Sequence, residues 1–297
     1  MMRIFKKILV AIVIVLALLV LVFFLIGREP INSVISQQLI RLGRSAGLRP
    51  IVKNLDVGVF ETSIGGVEVY LPHLFHTVRC ESVSIKPLWS AALSGSLRGN
   101  VRARCNGGTV DLVIERTDGE SSAHGSIVNY DLTTIDSLSF FGLTGGTLEL
   151  RLDKVRVKDN SPFPYSGVVA LMLSKLDKPE KTTVQIPFQG AQFPASIPPL
   201  RKGSFESITT FSEKPHAASI KRADFLSSWG ALSTSGEVLA SQELALKGTC
   251  HLSDDGHEFL GGLLPLISQG GVSSETRSFA IKVVGPTRRP KITFSDS

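Results

Sequence analysis

Beyond Pro50 the apolar positions recur every second residue. Val67, Val69 and Leu71 alternate with Glu68 and Tyr70, and Val110, Leu112 and Ile114 alternate with Asp111 and Glu115. Leu148, Leu150 and Leu152 alternate with Glu149, Arg151 and Asp153. This period places apolar side chains on one face of a strand and polar ones on the other. After Asp153 the apolar parity passes to Val155 and Val157, which requires a turn or bulge at Asp153-Lys154, because a one-residue slip exchanges the two faces. Leu244, Leu246, Cys250 and Leu252 hold one parity through Gly248; Phe279, Ile281 and Val283 repeat it, and Ile292 and Phe294 close the chain. The body, residues 51–297, is therefore expected to be a mainly β domain: an elongated, mostly antiparallel sheet with a few short helices.

Helical spacing is confined to short pieces. Ile31, Val34, Ile35, Leu39 and Leu42 share one helical face, with Asn32 or Ser33 as a cap and Gly43 and Gly47 as terminators, giving a helical segment over 31–47. It packs on the body, or it lies on a membrane surface with Arg41 and Arg44 toward headgroups. His257 to Ile267 reads as a helix capped by Ser253, Asp254 and Asp255, covering part of the sheet. Three stretches each lead from an aromatic through a Gly turn into a strand: Trp89 to Gly95, Phe141 to Gly146, and Trp229 to Gly236. Helix-like pieces precede the second (Asp131 to Ile135, with Leu138) and the third (Ala223 to Leu226), a pattern of growth by repeated units. Between 179 and 203, the prolines 179, 187, 194, 198 and 199 remove ladder donors, so this stretch is an edge crossing, a long loop or an internal boundary.

The amino terminus has a different character. From Ile8 to Ile26 the chain carries no charge, proline or polar side chain, and a stretch of about 20 apolar residues crosses a bilayer's hydrocarbon core. Arg3, Lys6 and Lys7 precede the run, and Gly27-Arg28 close it. A cleaved signal would have a shorter apolar region and a small-x-small site, where this chain has Leu25. The segment 8–27 is therefore expected to be a transmembrane anchor, with 1–7 a cytoplasmic flank held inside by its basic residues and the body exported. In a bacterium that places the body in the periplasm.

Charge changes the picture little beyond this point. Of 32 Lys and Arg residues, the three before the run serve orientation, leaving 29 against 26 acids. No block of basic residues suggests nucleic acid. Cys80, Cys105 and Cys250 are too few for a disulfide framework or a zinc site; Cys80 and Cys105 have the option of pairing in an oxidising compartment, and buried free thiols are the preferred reading. The best catalytic or metal candidate is the group His251, Asp254, Asp255, His257 and Glu258, but its spacing matches no ligand signature and fits a turn with acidic helix caps. His73 and His76 read as a loop between strands. Ser96 beside Gly95 lacks the placement of a nucleophile elbow, and neither a phosphate loop nor a dinucleotide fingerprint is present. No enzyme activity, catalytic residue, metal or cofactor is expected.

The segments Gly145-Gly146-Thr147-Leu148, Leu244 to Thr249 and Phe279 to Ile292 carry a family resemblance. With the anchor, they make the chain similar to inner-membrane protein N of the type II secretion system, a family related to AsmA-like proteins. The chain departs from the family's closing turn by placing Pro286 between Gly285 and Thr287. The resemblance implies a single-pass protein of the bacterial inner membrane with a periplasmic β-rich domain, a non-catalytic accessory that binds secretion partners. The alternative it implies is AsmA-like lipid binding or transport, with phospholipid carried along an apolar groove of the sheet.

Overall fold

The structure is a computed structural model. It describes residues 33, 36–38, 40, 41, 44, 49–58, 60–71, 76–92, 95–135, 138, 142–159, 164–188, 191–212, 217–239, 241, 243–287 and 290–296. The apolar run, with Arg3, Lys6, Lys7, Ile8, Ile26 and Arg28, lies outside the described residues, within which no helix is long and apolar enough to cross a membrane. In the expected 31–47 segment, residues 33, 36–38, 40, 41 and 44 are helical.

The strands run in chain order as β1 (Arg49–Val57), β2 (Thr62–Leu71), β3 (His76–Pro87), β4 (Leu97–Cys105), β5 (Gly108–Thr117), β6 (Glu120–Asp131), β7 (Gly145–Lys158) and β8 (Ser166–Lys178). Then follow β9 (Thr182–Phe188), β10 (Ala191–Ile197), β11 (Leu200–Ser212), β12 (Ala217–Ser227), β13 (Gly230–Leu239), β14 (Glu243–Leu252), β15 (Ser278–Pro286) and β16 (Lys291–Asp296). All but β9 and β10 join one 14-stranded sheet in sequence order, each pairing antiparallel with its neighbour. The proline-rich stretch resolves into a hairpin of its own, β9 with β10, while β8 and β11 pair directly across it.

Bulges keep the apolar residues on one face. Lys154 has φ +46°, and the β7–β8 register shifts between Asp153 and Arg156, so Val155 and Val157 return to the side of Leu148, Leu150 and Leu152. This is the bulge that the parity change demanded. In β12 the register shifts between Ile220 and Ala223, and this interruption by Lys221 and Arg222 hides the alternation of Ala218, Ile220, Ala223 and Phe225. Ala223 to Leu226 is thus strand, and the helix expected there is corrected. The third aromatic-Gly unit also fails, because Gly236 lies inside β13 opposite Leu246 rather than in a turn.

The helical pieces are short: α1 (Trp89–Ala92), a 3-10 turn (Leu132–Thr134), α2 (Asp254–Leu260) and α3 (Leu264–Ile267). Asp131 caps the 3-10 turn, its carboxylate accepting from Thr133 N at 2.9 Å. Ser253 caps α2, accepting from Gly256 N at 3.1 Å and donating to Ser228 O at 2.5 Å. The single helix expected over 257–267 is two, broken at 261–263. Cys80 and Cys105, direct partners across β3 and β4, form a disulfide, which corrects the preference for free thiols. Cys250 is free.

Candidate functional site: the apolar face of the sheet

The register aligns whole rows of side chains. One row of directly opposed residues runs Leu55, Ile64, Val83, Ala103, Val110, Ile127, Leu150, Leu171, Ser207, Ala223, Thr234, Gly248, Ile281 and Phe294, from β1 to β16. The row beside it runs Val57, Thr62, Ile85, Val101, Leu112, Gly125, Leu152, Val169, Thr209, Ile220, Gly236, Leu246, Val283 and Ile292. Neither row contains a charged side chain. With neighbouring strands about 4.8 Å apart, the two rows extend about 60 Å along the sheet.

Opposed residues share a face, so the contrast with the other side is direct. There a row reads Asp56, Ser63, Ser84, Arg102, Asp111, Ser126 and Arg151. Arg102 and Asp111 of this row pair at 3.1 Å, and Lys53 pairs with Glu68 at 2.8 Å across β1 and β2. Lys53 holds the Glu68 carboxyl below the ordinary carboxylate range. The Ser233 hydroxyl, donating at 2.6 Å, and then Arg222 do the same for Asp224. These groups are solvated, and such pairs contribute little to stability. A shallow cavity of 620 Å³ is lined by Ser63, Ser82, Arg102, Arg104 and Asp111 on this side, and another of 610 Å³ lies toward the 3-10 turn, lined by Lys53, Glu68, Arg79, Cys80, Asn106 and Thr134.

The apolar face is closed along one margin. The row Tyr130, Leu148, Leu173, Phe205, Phe225, Leu232, Cys250 and Phe279 borders the first, and against it lie the two buried clusters. Leu132, Leu176 and Leu200 form one, with Leu143, Leu148 and Trp229 packed on it; Leu252, Leu264, Val272 and Phe279 form the other, under α2 and α3. Gly146 is required here: its φ is +151°, and a Cβ would meet Leu176 Cδ2 at 3.0 Å and Leu132 Cδ1 at 3.1 Å. The same margin holds the Cys80–Cys105 disulfide and the His76–Tyr130 bond, Nε2 to phenol oxygen at 2.6 Å. Burial raises the Tyr130 phenol above its ordinary value, and likewise the Cys250 thiol.

Away from that margin the face is open. Leu150 and Leu171 are half-buried, whereas Leu132 is 2% exposed. Of the two long rows, only Ile64 belongs to the buried hydrophobic core. A single sheet leaves its apolar side to be covered by something else; among the described residues Ile281 and Phe294, at the β15–β16 end of the first row, pack against the Leu264 cluster, and the other members of the two rows join neither cluster.

The chemical candidates disperse. His251 sits exposed on the polar side of β14, Asp254 pairs with Arg277, and Asp255 occupies the first turn of α2. His257 and Glu258 follow along that helix, and among the described residues no three His, Cys, Asp or Glu side chains converge on a metal position. His76 begins β3 and is buried; His73 is outside the described residues. Sequence reading of single strands missed Tyr130 and the cross-strand rows, whose only signal is the summed register of every hairpin.

Comparison of the chain with protein-family models, curated proteins and solved structures finds no match.

Proposed function

We propose that this protein binds lipid acyl chains along the apolar face of its sheet while its apolar N-terminal run holds it at a membrane. The observation that carries the reading is the pair of charge-free rows crossing the fourteen-stranded sheet, whose members from β1 to β14 join neither buried cluster among the described residues. Exposed apolar surface of more than a few hundred Å² marks an interaction site. A surface about 60 Å long and two residues wide suits chain-like apolar ligands better than one compact small molecule. Its residues supply few directed polar groups, so it selects for hydrocarbon and leaves headgroups outside. The anchor, the orientation set by Arg3, Lys6 and Lys7, and the AsmA-like resemblance agree with a carrier at the bacterial inner membrane whose body lies in the periplasm. The Cys80–Cys105 disulfide supports an oxidising compartment.

The test is extraction of lipid from the full chain purified in mild detergent. Phospholipid should co-purify with the wild-type chain and be lost when Leu150 and Leu171 are both changed to Glu. Equal lipid on the two proteins would overturn the reading.

A second reading keeps the same placement and makes the protein an accessory of a type II secretion apparatus. The resemblance over Gly145–Leu148 and Phe279–Ile292 favours it, and β1 and β16 stand at the two ends of the sheet's strand order. Cross-linked membranes of a host with that apparatus should then yield a secretion component bound to this chain; recovery of none would count against it.

A further inference from the structure

The 610 Å³ cavity beside the 3-10 turn takes no part in the two apolar rows, and its walls are tied together by directed bonds. Asn106, in the left-handed region at φ +47°, joins β3 to the turn that follows β6. Its backbone N–H donates to Arg79 O at 2.9 Å, its side-chain oxygen accepts from Arg79 N at 2.7 Å, and its Nδ2 donates to Thr134 Oγ1 at 2.7 Å. The Cys80–Cys105 disulfide cross-links β3 and β4 beside it. Asp131 and Thr133 line the cavity while Leu132 between them is buried in its apolar cluster, so the cavity adjoins the closed margin of the apolar face. Walls held in this way lose little conformational freedom when a ligand arrives.

The charges lining the cavity are nearly balanced. Lys53 pairs with Glu68, and the Asp131 carboxylate accepts from Thr133 N at 2.9 Å and Thr133 Oγ1 at 2.7 Å. Arg79 and Glu81 remain, both exposed and neither in an ion pair among the described residues. The β3–β4 register shifts between Cys80 and Ser82, leaving Glu81 as the extra residue of a bulge, a device that re-aims a side chain. Two residues apart on one strand, Arg79 and Glu81 set a cation and an anion about 7 Å from each other. A simple anion would meet the carboxylates of Glu68, Glu81 and Asp131, and a simple cation would meet Lys53 and Arg79; a ligand carrying both charges suits both sets. The described residues lining the cavity include no aromatic ring, the surface that recognises a quaternary ammonium, whereas a primary ammonium donates hydrogen bonds to carboxylate oxygens.

We propose that this cavity binds a phosphoethanolamine group, with its phosphate on the Arg79 guanidinium and its primary ammonium on the Glu81 carboxylate. The guanidinium fork matches two phosphate oxygens, and the short ethanolamine link lets both ends be held at once. Beside a face that takes hydrocarbon, the group is supplied as the headgroup of an ethanolamine phospholipid; a free phosphoethanolamine ester offers the same chemistry. The choice of phosphate over carboxylate as the ligand's anionic end rests on the lipid reading, because the lining charges accept either.

The test titrates the full chain, in maltoside detergent, with glycerophosphoethanolamine in a calorimeter. It should bind about tenfold or more tightly than glycerophosphocholine or glycine, and Arg79→Gln and Glu81→Gln should each weaken it by a similar factor, the loss expected for one charge-assisted hydrogen bond. No binding at millimolar concentration overturns the proposal, as does equal binding of the choline or glycine probe, or binding that survives both substitutions. The lipid extracted with the chain separates the two sources. Enrichment of ethanolamine phospholipid on the wild-type chain, lost in Arg79→Gln at unchanged total lipid, assigns the group to a headgroup; probe binding without that enrichment assigns it to a free ester. Leu150→Glu with Leu171→Glu should abolish bound lipid and leave probe binding intact, so failure of the trough and failure of the cavity are read apart.

Discussion

A pair of truncations measures whether the long apolar rows are covered. Leu132 and Leu150 are the same residue type, on one chain, in different surroundings. Leu132 is 2% exposed and packs with Leu176 and Leu200 beneath the 3-10 turn, so Leu132→Ala leaves a cavity and should cost about 3 kcal/mol, within the range for fully buried leucines. Leu150 lies in mid-sheet between Ile127 and Leu171, half-buried, and belongs to neither buried cluster of the described residues. Full burial of a leucine is worth about 2 kcal/mol, so losing part of a half-buried one should cost about 1 kcal/mol, with no enclosed cavity. The assay is urea unfolding of the full chain in lipid-free detergent, followed by tryptophan emission, since Trp229 packs on the Leu132 cluster. The midpoint should fall clearly for Leu132→Ala and slightly for Leu150→Ala at unchanged slope. Equal losses would mean that Leu150 lies in a closed core, and the open-trough reasoning would fail.

Other outcomes follow from single features. Changing Cys80 and Cys105 to Ser releases a cross-link between residues 25 apart in sequence and should lower stability by about 3 kcal/mol in the same urea assay; alkylation of the unreduced, unfolded chain should label Cys250 alone. Ser253→Ala removes the α2 cap, and unfolding should become easier by about 1 kcal/mol while the bound-lipid content stays unchanged. Burial pushes the Cys250 thiol up, so iodoacetamide should label the folded chain at pH 8 far more slowly than the urea-unfolded chain. The associated stability is fully present below the unfolded thiol value of about 8.5 and is lost as pH rises toward the higher folded one, because only the unfolded chain releases its proton in that window. Cys250→Ser should flatten that part of the pH profile.

The alternating segments made most of the sheet legible. Where apolar and polar residues alternate without interruption, as from Leu244 to Leu252, the strand and its faces were readable from the sequence. The bulge at Lys154 was readable too, because the apolar residues resume immediately on the other parity. The bulge in β12 was not: Lys221-Arg222 interrupts the alternation, and Ala-Asp-Phe-Leu after it has helical character. The Cys80–Cys105 pairing depends on which residues oppose one another across β3 and β4, a fact of register rather than of spacing. The proline-rich stretch identified itself as irregular, yet its pairing of Ile186 with Phe193 emerges only when the two halves fold back. The trough is the least local feature of all. Its rows require twelve hairpin registers and one pairing across the β9–β10 excursion to agree, and no window of the sequence contains that information.

The central claim is that lipid lies along the apolar rows. The most direct measurement places a photo-crosslinking amino acid at Leu150 or Leu171, and at Arg151 on the opposite face, in the full chain expressed in bacterial cells. Irradiation followed by mass spectrometry should find phospholipid adducts at 150 and 171 and none at 151. Adducts absent from both apolar positions, or equally frequent at 151, would contradict the account.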